Sequence, residues 1–373
     1  MTTPSPLSVA IVGCGIIGVN HAQAIARVDG LLVTALVDDV PAMATALADQ
    51  IEAEVGHRPA EYARIEDLPA DVDLVAICTP SGTHVDLAER ALARDTHVVL
   101  EKPLDVSMER GLRLARAAEA AAERGLVVSV ISQHRYDPAA VVVADAAHSG
   151  RFGRVTSAVA SVPWWRSQEY YDSGAWRGTW DLDGGGAVMN QGVHTVDLLV
   201  WFLGRPVEIF AQTGLLAHER IEIEDVATAT IRFESGALAV FHATTAAFPH
   251  APVRVAVYGS SGSGTVEDDQ LGAFSVDGDE RDRSADAVPA GERVGDEKEA
   301  DSFAEAHARQ YRDVLAAIRE KRAPCVGVPE ALLSLAVVRA MYVSATSGEP
   351  VRIDAILTGE LSDADVRTGG VIA

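Results

Sequence analysis

Short apolar runs alternate with longer stretches of helical periodicity through the first third of the chain. Runs at 8–12 (SVAIV), 31–37 (LLVTALV), 74–78 (LVAIC), 98–100 (VVL) and 127–131 (VVSVI) predict buried strands. Helical stretches at 17–28, 41–52, 85–94 and 108–124 fall between them. This alternation predicts βαβ units and a doubly wound parallel sheet.

The pattern changes near Arg151. Segments around 155–164, 208–214, 227–233, 237–243, 253–258 and 264–267 read as strands joined mostly by short turns such as Glu234-Ser235-Gly236. Such connections predict a largely antiparallel sheet. One long apolar helix at 186–202 interrupts it. Residues 277–301 are acidic and carry Gly and Pro, which predicts a solvated loop, and helices follow at 302–321 and 330–346. The expected fold class is α/β: an N-terminal Rossmann domain over 1–132, then an α+β domain over 133–373 with a large, mostly antiparallel open sheet. The C-terminal helices are free to pack back on the first domain.

Composition narrows the function classes. The 373 residues are 48% hydrophobic and 23% charged, enough to bury a large core. The net charge of −23 disfavours phosphate backbones and anionic lipid, so neither nucleic acid nor membrane is expected as a partner. Lysine is scarce (Lys102, Lys298, Lys321), so lysine chemistry has few candidates. Three scattered cysteines make no disulfide framework. Polar residues at the start and the lack of an unbroken apolar run of membrane-spanning length lead us to expect a soluble, cytoplasmic protein. His and Cys show no metal-ligand spacing, and no metal is expected.

Gly13-Cys14-Gly15-Ile16-Ile17-Gly18 follows the first strand and opens a helix, and Asp38 comes twenty residues after Gly18. This is the dinucleotide fingerprint. Gly13 permits the tight turn, Gly15 lets the backbone approach a pyrophosphate, and Gly18 lets the helix pack on the sheet. The helix N-terminus at Ile16 and Ile17 then offers free N–H groups and positive dipole to the phosphates. Asp38, with Asp39 as fallback, would accept from the adenosine ribose hydroxyls and repel a 2′-phosphate. NAD is therefore favoured over NADP.

Further motifs are Thr79-Pro80-Ser81-Gly82-Thr83-His84, Glu101-Lys102-Pro103, Asp183-Gly184-Gly185-Gly186 and Asn190-Gln191-Gly192-Val193-His194-Thr195-Val196-Asp197. With the fingerprint and the later antiparallel sheet, the chain resembles the Gfo/Idh/MocA oxidoreductase family over roughly 8–353. The resemblance implies a nicotinamide-dependent enzyme acting on a sugar or cyclic polyol. It puts Lys102 beside nicotinamide and substrate, with a cis peptide before Pro103, and makes His194 the catalytic histidine. It also implies cofactor contacts from Thr79, Pro80, Ser81, His84 and Glu101, and from Trp176 and Arg177 in the W-R-G stretch. Family dehydrogenases of the inositol type carry Asp four residues before the histidine, where this chain has Asn190; an asparagine can orient His194 but brings no charge.

Four of the five tryptophans lie at 164–180. Aromatic faces stack on sugar rings, and arginine forks bind anions. Trp165, Arg166 and Tyr136 are therefore substrate-binding candidates beside Lys102, Asn190 and His194, with Arg166 the candidate for an anionic group and Arg135 a weaker one. The plain alternative for this cluster is interdomain packing. His21 and His84 read as packing or capping residues. The expected activity is hydride transfer between a ring hydroxyl of a sugar, sugar acid or glycoside and NAD. The alternative is an NAD-dependent glycoside hydrolase that oxidises the ring hydroxyl transiently, eliminates the aglycone, adds water and returns the hydride. A homodimer or homotetramer through the C-terminal sheet is expected.

Overall fold

The computed structural model describes residues 5–174, 177–297, 302–361 and 366. In chain order the elements are β1 Leu7–Val12, α1 Ile16–Ala26, β2 Leu31–Val37, α2 Pro41–Val55, β3 Ala60–Tyr62, β4 Leu74–Ile77, α3 His84–Leu92, β5 His97–Leu100, α4 Met108–Glu123 and β6 Val128–Val130. There follow α5 Pro138–His148, β7 Val155–Pro163, α6 Gln168–Asp172, a π-helical turn Ala187–Gly192, α7 Val193–Leu203, β8 Pro206–Gly214, β9 Val226–Phe233, β10 Leu238–Thr244, β11 Arg254–Gly259, β12 Ser263–Glu267 and β13 Gln270–Ser275. The last described elements are α8 Ser284–Ala287, α9 Ser302–Glu320, α10 Val328–Ser347, β14 Val351–Arg352 and α11 Ile353–Leu357.

These elements form two compact units. One takes the chain up to Asp105, Arg110–Gln133 and the described part of Ala300–Leu332; the other takes the rest. The first unit holds a six-stranded parallel sheet in the order β3-β2-β1-β4-β5-β6. The order reverses between β1 and β4, and in open α/β sheets ligands bind at the carboxyl ends of strands at such a switch point. The core beneath is built from the apolar runs themselves: Val9, Ile11, Leu36, Leu74 and Val99 are fully buried. Helix α9, some 170 residues downstream of β6, completes this unit by placing Tyr311, Val314 and Leu315 in the same core as Ala24 and Ile25 of α1.

The second unit holds an eight-stranded sheet in the order β13-β12-β11-β7-β10-β9-β8-β14. Its pairings are antiparallel except for β7 with β10. The central pair is parallel because the α6–α7 excursion and the β8–β9 hairpin separate the two strands in sequence. Strands β3, β13 and β14 were not legible as apolar runs; β3 and β14 are two or three residues long. The acidic segment is loop around the single turn α8 in its described part.

The predicted helix at 186–202 is two structures, the π-turn and then α7. Below it, Arg135 donates from Nε and Nη2 to the two oxygens of Asp197 at 2.6 and 2.7 Å, and Ser334 donates to the same carboxylate at 2.9 Å. Both charged side chains are buried. Arg135 and Asp197 thus hold the fold together rather than face a ligand. Helix α10 is long and apolar enough to cross a membrane, yet 67% of its most apolar window is buried inside the protein, as suits a core helix.

Removing one member of a buried ion pair strands the other. Asp197→Ala should lower unfolding free energy by about 3–5 kcal/mol, measured by chemical denaturation with an intact-mass control; a loss near zero would show that Arg135 finds another acceptor.

Candidate active site

The first unit carries the dinucleotide site. Gly13 has φ +95°, and a Cβ there would sit 2.8 Å from the Cys78 carbonyl group. A Cβ on Gly18 would lie 2.2 Å from the Gly13 carbonyl oxygen, so both glycines are sterically required. Gly15 faces open space within 4 Å. Among the described residues no side chain caps α1, so its first N–H groups are available to an anion. Ile16 is 86% exposed over this opening. Asp38 follows β2 directly; its Oδ2 accepts from Cys14 N–H at 2.8 Å and its Oδ1 from Val40 N–H at 2.9 Å. That anchoring fixes the carboxylate beside the glycine loop and fits a ribose diol. Asp39, the fallback, is exposed.

The loop after β4 flanks the other side of the switch point. Thr79 and Thr83 share a hydrogen bond of 2.7 Å, and Thr83 donates to the Pro80 carbonyl. Pro80 is exposed and Ser81 half-buried. The His84 ring is buried between the Thr79 and Pro103 carbonyl oxygens, 2.9 and 2.8 Å away. It ties this loop to the turn after β5 rather than presenting a free nitrogen.

Lys102 and Pro103 follow β5, and the bond between them is cis. Glu101 is buried, its Oε2 accepting from the Lys102 N–H at 3.0 Å. Its Oε1 accepts from His21 Nε2 at 2.9 Å, with His307 Nε2 3.2 Å away, and the Tyr311 hydroxyl bonds His21 Nδ1 at 2.7 Å. Burial alone would raise the Glu101 carboxyl, but the hydrogen bonds from His21 and His307 outweigh it and hold it well below the usual range. Burial pushes His21 down. His21 is therefore a structural residue, as its place in α1 suggested, and Glu101 positions Lys102.

The second unit carries His194 on the first turn of α7. Asn190 lies in the π-turn ahead of it, so the spacing between them is not that of a regular α-helix. Asn190 Nδ2 donates to Asp183 Oδ1 at 2.7 Å and to the Gly185 carbonyl at 3.3 Å. Buried Asp183 also accepts from Gly178 N–H at 2.8 Å. The charge missing at Asn190 thus stands one side chain behind it, on the first residue of the D-G-G-G motif.

Buried Glu224 secures the start of the turn. It accepts from Gly186 N–H, Val188 N–H and the Tyr342 hydroxyl at 2.9, 2.9 and 3.0 Å. A Cβ on Gly186 would fall 1.7 Å from the Glu224 carbonyl oxygen. Burial pushes the Glu224 carboxyl up to about 7, against the lowering effect of those amides.

The His134 ring stands edge-on to His194, with centroids 4.9 Å apart. Its Nδ1 lies 2.8 Å from Asp269 and 3.0 Å from Asp137. Burial would lower His134, but Asp269 and Asp137 outweigh it and raise it to about 10. Sequence reasoning missed Glu224, Asp183 and His134 as neighbours of the segment that carries Asn190 and His194. Only Asp183 carried a signal, its place in a quoted motif.

The remaining candidates are spread over the second unit. Tyr136 is half-buried beside buried Arg135. Trp165 is 37% exposed, its ring near Phe248 and His218. The Arg166 guanidinium stacks on Trp164 and Tyr170, and that of Arg177 on Tyr170. Trp176 lies outside the described residues. His21–Glu101–His307 and His134–Asp137–Asp269 each bring metal-ligating atoms within 4.8 Å; in both, hydrogen bonds already join those atoms directly.

A fingerprint loop at a parallel-sheet switch point, joined in one chain to a large open antiparallel sheet, defines an NAD-binding oxidoreductase. A family model described as "Oxidoreductase family, NAD-binding Rossmann fold" matches residues 7–132, and one described as "GFO/IDH/MocA C-terminal domain" matches 141–265. The chain belongs to the Gfo/Idh/MocA oxidoreductase family. It is similar to scyllo-inositol 2-dehydrogenase (NAD(+)) of Bacillus subtilis (strain 168), 25% identical over 354 residues and covering 92% of this chain and 96% of that protein. Inositol 2-dehydrogenase of Rhizobium meliloti (strain 1021) is 29% identical over 266 residues, 69% of this chain and 74% of that protein. Among solved structures, the WlbA dehydrogenase from Bordetella pertussis in complex with NADH and UDP-GlcNAcA matches with a TM-score of 0.81 and 30% identity, covering 94% of this chain and 99% of that one.

The Glu224 carboxyl holds its proton more tightly folded than unfolded, where a glutamate titrates at about 4.3. That proton stabilises the fold at low pH, and the contribution is lost as pH rises toward about 7. Glu224→Gln cannot titrate, so the stability difference between wild type and variant should move in the variant's favour between pH 4.5 and 7. Denaturation midpoints across that range would show it, and a constant difference would refute the raised carboxyl.

Proposed function

We propose that this protein is a dehydrogenase of a sugar-like substrate, transferring hydride between a ring hydroxyl and NAD. The observation that carries the reading is Lys102, fixed through its own N–H by Glu101 at the carboxyl end of β5, on the sheet edge that also bears the Gly13–Gly18 loop. Support comes from the relatives named as inositol dehydrogenases and from the WlbA complex with a nucleotide sugar.

When bound, NAD supplies the hydride acceptor. The glycine loop and α1 N-terminus hold its pyrophosphate, and Asp38 holds its adenosine ribose. Lys102 Nζ donates a hydrogen bond to the hydroxyl oxygen and stabilises its developing negative charge. His194 accepts the hydroxyl proton. Asn190, braced by Asp183, sets the turn from which His194 projects.

The sheet of the second unit would bring two copies together. In register across it lie Phe210, Thr230, Val240 and Val159, and beside them Leu238, Ser157 and Tyr258. Five of these are large apolar or aromatic side chains 38–58% exposed, a continuous face of the kind buried between subunits. Val240→Arg should shift the molecule toward the monomer in sedimentation velocity; a wild type that is already monomeric would overturn the assembly.

The activity is tested by incubating protein and NAD with inositols, sugars, sugar acids and glycosides. NADH should accumulate in proportion to oxidised product, and Lys102→Met should lower turnover at least about 100-fold with NAD affinity unchanged. Aglycone release that requires NAD but leaves no NADH would replace the dehydrogenase reading with a redox-neutral hydrolase.

A further inference from the structure

Two arginine side chains of the second unit gather on one aromatic ring. The guanidinium carbons of Arg166 and Arg177 lie 4.9 and 4.4 Å from the centroid of the Tyr170 ring. Arg166 also lies 4.9 Å from the Trp164 ring, so two aromatic side chains hold its guanidinium. Cation–π contact offsets part of the desolvation of such a group but uses none of its N–H donors.

Among the described residues the side-chain donors of Arg166 go unused: no carboxylate pairs with it, and its buried Nε has no hydrogen-bond partner. This is unusual company in a chain of net charge −23, where acids take up other arginines: Arg135 is held by Asp197 and Arg220 by Asp172. A buried donor left unpaired keeps its full desolvation cost. Bringing a second guanidinium to the same ring adds like-charge repulsion. An oxyanion at the Arg166 donors removes the first cost and offsets the second.

The position is also pre-set. The Arg166 N–H donates to the Thr245 carbonyl at 2.8 Å, and the Arg166 carbonyl accepts from His218 Nε2 at 2.8 Å. Asp225 fixes His218 in turn, lying 3.0 Å from its Nδ1. The segment connects to the catalytic helix as well: Gly178, next to Arg177, donates to Asp183, and Asp183 holds Asn190 four residues before His194.

We infer that Arg166, seated between Trp164 and Tyr170 and seconded by Arg177, is the specificity residue for an oxyanion substituent, carboxylate or phosphate, on the sugar-like substrate. The inference rests on the reading of the site as that of a sugar-like dehydrogenase. The planar fork donates two parallel hydrogen bonds to the anion, which a lysine cannot reproduce. Contact with two aromatic rings restricts the guanidinium before any ligand arrives, which reduces the side-chain freedom lost on binding.

The test is a binding measurement that needs no turnover. Calorimetric titrations of the NAD-loaded protein with glucuronate, glucose 1-phosphate, glucose and inorganic phosphate would give the ratio of anionic to neutral affinity. The wild type should bind one of the two anionic sugars about 10- to 100-fold tighter than glucose, the range expected of charge-assisted hydrogen bonds. Whichever it prefers identifies carboxylate or phosphate as the group. Arg166→Gln should erase the ratio and Arg166→Lys restore only part of it, with NAD affinity unchanged as the control for folding. A wild type that binds glucose as well as either anionic sugar, one that binds none of the probes, or one that binds only inorganic phosphate overturns the inference. So does an Arg166→Gln protein that keeps the ratio. NADH production from neutral sugars in any of those cases leaves the dehydrogenase reading standing, whereas anion preference without NADH from any sugar removes that reading and keeps the subsite.

Discussion

A carboxylate taken out of water must be given donors, and in this chain the donors are repeatedly the backbone amides of the segments that bear the candidate site residues. Glu101 takes the N–H of Lys102. Asp38 takes those of Cys14 and Val40 and so fixes both ends of the ribose-side turn. Glu224 takes those of Gly186 and Val188 and sets the π-turn. Asp183 takes that of Gly178 and the side chain of Asn190. Each bond couples burial to position: the segment cannot move without exposing the acid or leaving it unsatisfied. The acidic composition, which at first only excluded polyanionic partners, thus has an internal use as well.

The arrangement also explains why the motifs are built as they are. Glycine is obligatory at Gly18 and Gly186 because a carbonyl oxygen occupies the place a Cβ would take. At Gly18 the close approach packs α1 against the loop and directs its N-terminus outward. At Gly186 it lets Glu224 reach two amides in succession. In both, the small residue and the polar contact belong to one device. Asn190 fits the same logic, since its amide can donate to Asp183 where an aspartate at that position would face a second carboxylate.

Much of the fold was legible because strand and helix periodicities are local. The apolar runs at 8–12, 31–37 and 74–78 became β1, β2 and β4 within a residue or two, and the change of pattern near Arg151 marked the start of the second sheet. The readings that failed were those in which neighbours in space decide. The helix at 186–202 begins as a π-turn because Glu224 and Tyr342, far along the chain, hold its first amides. Strand β14 exists only by pairing with β8. Arg135 looked available to a ligand until Asp197 and Ser334 were seen to occupy it.

The sequence by itself determined the nucleotide half of the site, since its glycines, the following helix and Asp38 act through backbone geometry within forty residues. It also determined which lysine and which histidine to consider, because three lysines leave little choice and the motif order is specific. Tertiary structure decided everything that depends on pairing across the chain: that His307 and Tyr311 of α9 join His21 and Glu101, that Asp183 stands behind Asn190, and that Arg135 is spent while Arg166 is not. The physical reason is that charge and hydrogen-bond capacity are properties of a residue, whereas their satisfaction is a property of its surroundings, and the surroundings come from long-range contact.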